Sequence, residues 1–343
     1  MAMSRLHLVA TIPLIFFSIL NVSAAPENVP VELELLSVTK VWDQGPHNAF
    51  TDLIRFRGRW WLTFREADEH GVPEPGKQGG RIRVLWSTDG TAWEPAALLD
   101  YGKDQDLRDP KLSITPHGQL MLLCAAAPQA SPGRRQSLVY FSADGVSWSA
   151  PHPVGEPDFW LWRVTWHRDV ARGIGYRREG SRRIARLYES RNGTDFRVLV
   201  DSLYDEGYPN EASLLFLDDD QALCLLRRNG SGSNSGLLGK SSPPYRFWEW
   251  VDLGKRIGGP AFIRLPSGVI LAATRLYDGQ VRTAVSWLNP EEGTLTEILA
   301  LPSGGDNSYA GLVWHEGVLW VSYYSSHEGK SSIYLAKVAV RDR

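Results

Sequence analysis

Cysteine is scarce: two residues in 343 leave no disulfide framework, and with no clustered histidine pair beside them they make no zinc site. Cys124 and Cys224 sit inside the apolar runs "LMLLCAAA" and "QALCLLRR", in repeats that are not neighbours, so two buried free thiols are expected. Sustained helical periodicity is missing past the N-terminal segment, which leaves an all-β reading. Neither sign of charge dominates. Lys plus Arg number 37 against 39 Asp plus Glu, for a net charge of −2. A nucleic-acid surface and a polybasic membrane patch are therefore not expected. No nucleotide or metal-loop motif stands out, so neither a cofactor nor a metal is expected.

Long apolar runs are also absent, with one exception. "LVATIPLIFFSIL" (residues 8–20) follows Arg5 and is too short to span a bilayer comfortably. Small residues follow it, with cleavage sites near Ala24 or Ala25. Residues 1–25 read as a signal peptide, an uncleaved anchor being the alternative. The expectation is a secreted or periplasmic protein with no stable membrane insertion after cleavage.

Tryptophan and glycine are plentiful, at 14 and 32, and that pairing suits many short strands joined by tight turns. Six segments share one plan, an apolar strand, a turn at Gly or Asp, and a second apolar strand. They include "FTDLIRFRGRWWLTFREA", "LRDPKLSITPHGQLMLLCAA", "PNEASLLFLDDDQALCLLRRN" and "SYAGLVWHEGVLWVSYYSS", spaced about 50 residues apart. The period and strand count predict a single domain over residues 31–340, a six-bladed β-propeller of four-stranded antiparallel blades. A β-sandwich or a two-domain chain is the alternative. The early strand "VELELLSVTKVW" has no hairpin of its own and is expected to join the last blade and close the ring, since an open ring would leave strand edges unpaired.

"WSTDGTAWEP", "FSADGVSWSAP" and a degenerate "SRNGTDF" fall between the outer two strands of successive blades. Asp and Ser there suit bonding to nearby amides, and Gly supplies positive φ. These turns resemble the Asp boxes of the sialidase (neuraminidase) superfamily. In that family the boxes are structural and lie away from the catalytic centre. Non-sialidase and glycan-binding propellers carry them too.

In a propeller, starts of inner strands and ends of second strands converge at one mouth of the channel. The first set gives Asp52, Asp109, Arg163, Glu211 and Tyr309; the second gives Arg65, Arg227, Arg275, Tyr176 and Tyr324, with only Ala125 in the second repeat. Charges that end buried strands need a partner or a ligand, and arginine forks match a carboxylate. A purely structural ion-pair network is the alternative.

Here the resemblance extends further. The family places a glutamate at a strand start, then an arginine, a second arginine in the next blade, and later a nucleophilic tyrosine. "NEASLLFLDDDQALCLLRR", "VILAATRLY" and "GDNSYAGL" match that order. The resemblance implies Tyr309 as nucleophile, Glu211 as its base, and Arg227 and Arg275 as carboxylate ligands. "RDPKLSI" is similar to the family's Asp-Pro strand, which implies a sugar contact for Asp109, and "FREAD" does the same for Arg65. Trp162, in "FWLWRV", is a candidate pocket wall, as is Arg163. The general acid is sought in Asp68, with Glu69 and His70 competing, or in Asp52. One departure stands out: the first strand, "FTDLIRF", lacks the family's opening Arg-Ile-Pro, and Asp52 near the arginine's place would repel a carboxylate.

Three functions fit these residues. The first is an exported retaining exo-glycosidase of sialidase type, releasing a terminal acidic sugar from a glycan. The second is a same-fold glycosidase or lyase on a uronic-acid-containing or neutral glycan, using Asp52, Asp109 and Glu211. The third is a glycan-binding propeller without turnover. The fold alone does not choose among them.

Overall fold

The computed structural model describes residues 29–343 except 73, 75, 103 and 130–132. The N-terminal segment read as a signal peptide lies outside the described residues. Within them every regular element is a strand, and the strands form six antiparallel sheets of four. No helix of the described residues is long and apolar enough to cross a membrane.

Each blade begins at the channel and works outward. The inner strands are His47–Phe56, Gln105–Ile114, Trp160–His167, Pro209–Phe216, Ile257–Arg264 and Asn307–His315. The second strands are Arg59–Ala67, Leu120–Pro128, Val170–Glu179, Ala222–Arg228, Ile270–Leu276 and Val318–Ser325. The six blades follow this order, as the repeats predict. In blade six the outermost strand is Val31–Trp42, which pairs antiparallel with Ser332–Asp342 over the register Val31↔Asp342 to Trp42↔Ile333. The strand without a hairpin thus closes the ring, and no blade edge opens between the two ends of the chain.

Blades pack through their apolar faces. Trp60 of blade one and Trp320 of blade six lie 4.2 Å apart between ring centroids across the closure, and both are buried. Aromatic rings of this kind each remove on the order of 150–250 Å² from water. Cys124 and Cys224 are buried and unbridged, within the cores expected from their apolar runs.

The Ser-Asp-Gly turns join the third and outer strands, at the end of each blade away from the mouth. Gly145 N donates to Ser142 Oγ at 2.7 Å, and Val146 and Ser147 N donate to Asp144 Oδ1 at 2.9 and 2.8 Å. The Asp89 and Asn192 turns repeat this pattern. Gly145 has φ of +81°, and a Cβ there would lie 2.2 Å from the Trp61 ring of blade one. Glycine is therefore required twice over, by its backbone conformation and by the close approach.

One local device recurs in every inner strand. Pairing with the second strand breaks between Ala49 and Asp52, Arg108 and Lys111, Leu161 and Val164, Pro209 and Ala212, Gly258 and Ala261, and Ser308 and Gly311. Each break is a bulge at the same height. Phe50, Asp109 and Tyr309, the first bulged residues of blades one, two and six, have φ of +61°, +50° and +53°. Left-handed backbone in such residues costs of order 1–3 kcal/mol and concentrates at functional sites. Bulges re-aim side chains, and here they build a ring around the mouth.

Candidate active site

Glu211 and Tyr309 meet at this ring. The Tyr309 hydroxyl donates to Glu211 Oε1 at 2.5 Å. Arg227 Nη1 reaches both Glu211 oxygens at 2.8 and 2.9 Å and the Tyr309 oxygen at 3.1 Å. Gly259 N donates to Glu211 Oε2 at 2.8 Å. Glu211 and Tyr309 are both buried. Burial alone would push the glutamate up. The Arg227 charge and the hydrogen bonds from Tyr309, Arg227 and Gly259 outweigh it and hold Glu211 below its ordinary value. Burial and the Glu211 charge push Tyr309 well above the ordinary phenol value. The resting pair is thus a phenol bonded to a carboxylate, and the phenol oxygen becomes nucleophilic only as its proton passes to Glu211.

Arg275 stands on the next second strand. Its Nε donates to Asn307 O at 2.8 Å, and its Nη2 reaches Asp306 Oδ1 at 3.0 Å and Tyr324 OH at 2.9 Å. Its guanidinium lies 5.5 Å from the centroid of the Tyr309 ring. Trp162 packs edge-on to Tyr309 at 6.2 Å, and Phe50 lies 5.0 Å from it. These rings floor the mouth.

Asp109 is an unsatisfied carboxyl on the ring, where Trp162 Nε1 and Arg163 Nε also lack partners among the described residues. It is buried, its Oδ1 is sealed from solvent without a hydrogen-bond partner, and neither of its oxygens bonds to any described residue. Burial pushes its carboxyl up to about 6, despite the opposing charges of Arg108 and Lys111. An unpaired buried carboxyl of this kind is costly unless something completes it.

Arg65 is placed differently from the expectation of a substrate ligand. It is fully buried. It bonds Asp106 Oδ1 through Nε at 2.9 Å, and the Glu69 and Gly71 carbonyls at 2.8 and 3.0 Å. Its donors are spent on pinning the loop after its own strand, so it has no free fork to offer a carboxylate. Burial and the adjacent Arg108 charge lower it to about 10. Arg108 is the arginine that the sequence reading missed. It sits just before the blade-two bulge, bonds Asp106 Oδ2 through Nη1 at 3.0 Å, and lies 5.0 Å from the Phe50 ring. It pairs across the blade with Ala125, at the position where blades one and five carry Arg65 and Arg275; Arg227 lies one residue off, opposite the blade-four bulge. The alanine that interrupts the arginine register was the available signal: the small residue leaves room for an arginine from the facing strand.

Asp52 and Arg163 are brought together, but with each other. Arg163 Nη1 and Nη2 donate to Asp52 Oδ2 and Oδ1 at 3.2 and 3.1 Å, and Leu112 N donates to Asp52 Oδ2 at 2.7 Å. Asp52 lies past the bulge, paired with Thr63. It lines the cavity at the far half of the channel together with Ile54, Ile114, Trp166 and Phe262. Neither residue shares a hydrogen bond with Glu211 or Tyr309 among the described residues. Asp68 stands on the loop after the second strand of blade one, exposed, with Oδ2 accepting from Gln78 N at 2.9 Å.

Beside Arg275, Asp306 Oδ2 faces His47 Nε2 at 3.2 Å and His70 Nδ1 at 2.6 Å. The three groups lie close enough to ligate one ion. However, the other nitrogen of His47 faces Arg65 Nη1 at 3.5 Å, a donor where a ligating imidazole needs an acceptor. The chemistry fits a hydrogen-bonded chain holding Asp306 against Arg275 better than a metal site. Burial keeps His47 below its ordinary value.

No family model matches this chain, and no curated protein matches its sequence. Solved structures do match in shape. A protein of unknown function from Dyadobacter fermentans superposes with a TM-score of 0.77 at 20% identity, over 90% of this chain and 99% of that one. Trypanosoma rangeli sialidase gives 0.64 at 13%, over 85% of this chain and 55% of its own. The Penicillium chrysogenum α-L-arabinanase, solved with arabinobiose, gives 0.68 at 15%, over 90% and 98%. The chain therefore shares the six-bladed propeller fold of sialidases and of arabinan-acting glycosidases.

Proposed function

We propose that this protein is a retaining exo-glycoside hydrolase that releases a terminal acidic sugar of the sialic acid type from a glycan. The observation that carries the reading is the 2.5 Å contact between Tyr309 and Glu211 with Arg227 on both. Sialidases are the recognised exception to two-carboxylate glycosidases in using a tyrosine nucleophile. A neutral phenol approaches an anomeric carbon that bears a carboxylate without the repulsion that an anionic nucleophile would meet. Glu211 takes the phenol proton as the Tyr309 oxygen bonds to that carbon. Arg227, Arg275 and Arg108 offer donors to the sugar carboxylate, Arg108 in the role expected of Arg65. Phe50 and Trp162 wall the sugar. The apolar N-terminal run fits an exported enzyme meeting glycans outside the cytoplasm.

A second reading is favoured by the arginines' own partners. Arg227 is paired with Glu211, Arg275 with Asp306 and Arg108 with Asp106, so the mouth is close to neutral. That suits a uronic-acid-containing or neutral glycan, and the shared fold with an arabinanase agrees. The deciding experiment screens purified protein against chromogenic sialosides, uronides and arabinofuranosides. Release from a sialoside is expected. Turnover of arabinosides alone selects the second reading, and turnover of no glycoside in any class overturns both.

A further inference from the structure

We propose that Asp109 is the general acid, and then the general base, of the site, an inference that rests on the glycosidase reading above. It occupies the first bulged position of blade two, the same height as Tyr309 in blade six. Left-handed backbone holds it there, and neither oxygen has a partner among the described residues. Oδ1 is sealed, so Oδ2 is the atom left toward the opening. A side chain kept buried, strained and unpaired on the same ring as a nucleophile is one whose partner arrives with the substrate.

The charged and titratable groups around it set its working range. Arg108 and Lys111 on its own strand, and Arg65 on the second strand of blade one, favour the ionised form. Glu211 of blade four opposes it, and burial is the largest influence, leaving the carboxyl at about 6. Tyr176 of blade three, partly buried, and Cys124 of blade two, buried, are both pushed upward and stay neutral. Asp109 thus holds its proton in mildly acidic conditions. Glu211, bonded to Arg227, gives up its own. Two carboxyls driven apart in this way divide acid and base work between them.

The step balances. As the Tyr309 oxygen bonds to the anomeric carbon and its proton passes to Glu211, the glycosidic C–O bond breaks and its electron pair stays on the leaving oxygen. The Asp109 proton goes to that oxygen. In the second half Asp109 takes a proton from water, and the water oxygen bonds to the anomeric carbon. The Tyr309–carbon bond breaks, and Glu211 returns the proton to the phenol.

The test compares two glycosides of the sugar that the wild type cleaves: an aryl glycoside whose leaving group needs no acid, and an unactivated oligosaccharide. For Asp109→Asn, kcat/KM on the oligosaccharide is expected to fall about 10²–10⁴-fold, with the first, bond-breaking step on the aryl glycoside nearly unchanged. Azide is expected to restore turnover of the aryl substrate by replacing the base-activated water. On the wild type itself, the oligosaccharide is expected to show an alkaline limb near pH 6 that the aryl glycoside lacks, a readout that stands even if the variant folds poorly. Equal losses on both substrates would make Asp109 a positioning residue and overturn the inference. The selective loss appearing in Asp68→Asn, with Asp109→Asn silent, would overturn it as well. In both cases the wild type remains active, so the glycosidase reading survives; a wild type that cleaves no glycoside removes that reading and this inference with it.

Discussion

Two buried ion pairs stand in one channel. Asp52–Arg163 is closed: both guanidinium nitrogens meet both carboxylate oxygens, and a backbone amide adds a third donor. Arg227–Glu211 is open to a reactive group: one arginine nitrogen straddles both oxygens, the Gly259 amide and the Tyr309 hydroxyl share the same carboxylate, and Asp109, without a hydrogen-bond partner among the described residues, stands on the same ring. The residue types are the same. What differs is where the carboxylate stands. Glu211, Asp109 and Tyr309 lie in bulges, re-aimed toward the mouth. Arg163 lies in a bulge as well, but Asp52 lies beyond its own, back in regular pairing, and its charge is spent on the fold. A carboxylate held only by an arginine and an amide fixes structure, and one shared with a phenol on the same ring as an unpaired carboxyl is available for chemistry.

Substitutions can break this contrast. Tyr309→Phe removes one oxygen from the open site and is expected to abolish glycoside cleavage, by roughly 10³-fold or more, with the melting temperature little changed. A variant that keeps wild-type turnover would show that the open pair is structural after all. Asp52→Asn leaves Arg163 without its charge partner in the channel and is expected to cost about 3–5 kcal/mol of stability, read by denaturant unfolding. Turnover per folded molecule should stay within a few-fold. A stable but inactive Asp52→Asn would reverse the assignment of the two pairs.

Asp109→Asn separates the two kinds of site by pH. The folded carboxyl stands at about 6 against an ordinary 3.8, so the fold favours the protonated form. Wild-type stability is then fully present below pH 4 and falls by roughly 3 kcal/mol in total as pH rises through 6. Asparagine cannot ionise. Urea titrations at pH 4 and pH 7 should show the variant gaining on the wild type only at the higher value. Smallest in effect, Gly145→Ala tests the far end of the blade. The left-handed φ and the Trp61 ring together are expected to cost about 1–3 kcal/mol, with kcat unchanged for the protein that remains folded.

Legibility of the sequence divides along the same line. Blade number, the closing strand, the free thiols and the far-end turns follow from periodicity and composition, because each is a local pattern repeated. Glu211, Arg227, Arg275 and Tyr309, which the fold brings together, stood at strand starts and strand ends in the order that the resemblance implies. Arg65 and Arg108 were not separable. Arg65 ends an apolar strand and Arg108 stands near the start of the next inner strand, and only packing shows that both meet Asp106 and that Arg65 alone spends its fork on two loop carbonyls. Asp52 looked equivalent to Asp109 because both stand near the middle of an inner strand, whereas pairing puts Phe50 at the bulge position of Asp109 and Asp52 two residues beyond it.

The sequence by itself therefore determined the scaffold: a repeat that cannot bury its faces alone, an early strand that needs a partner, and glycines where no Cβ fits. Tertiary structure decided which charges are satisfied. Satisfaction depends on side chains from different blades meeting across the channel, Tyr309 with Glu211 and Arg163 with Asp52, at sequence separations of 98 and 111 residues, where no local pattern reaches.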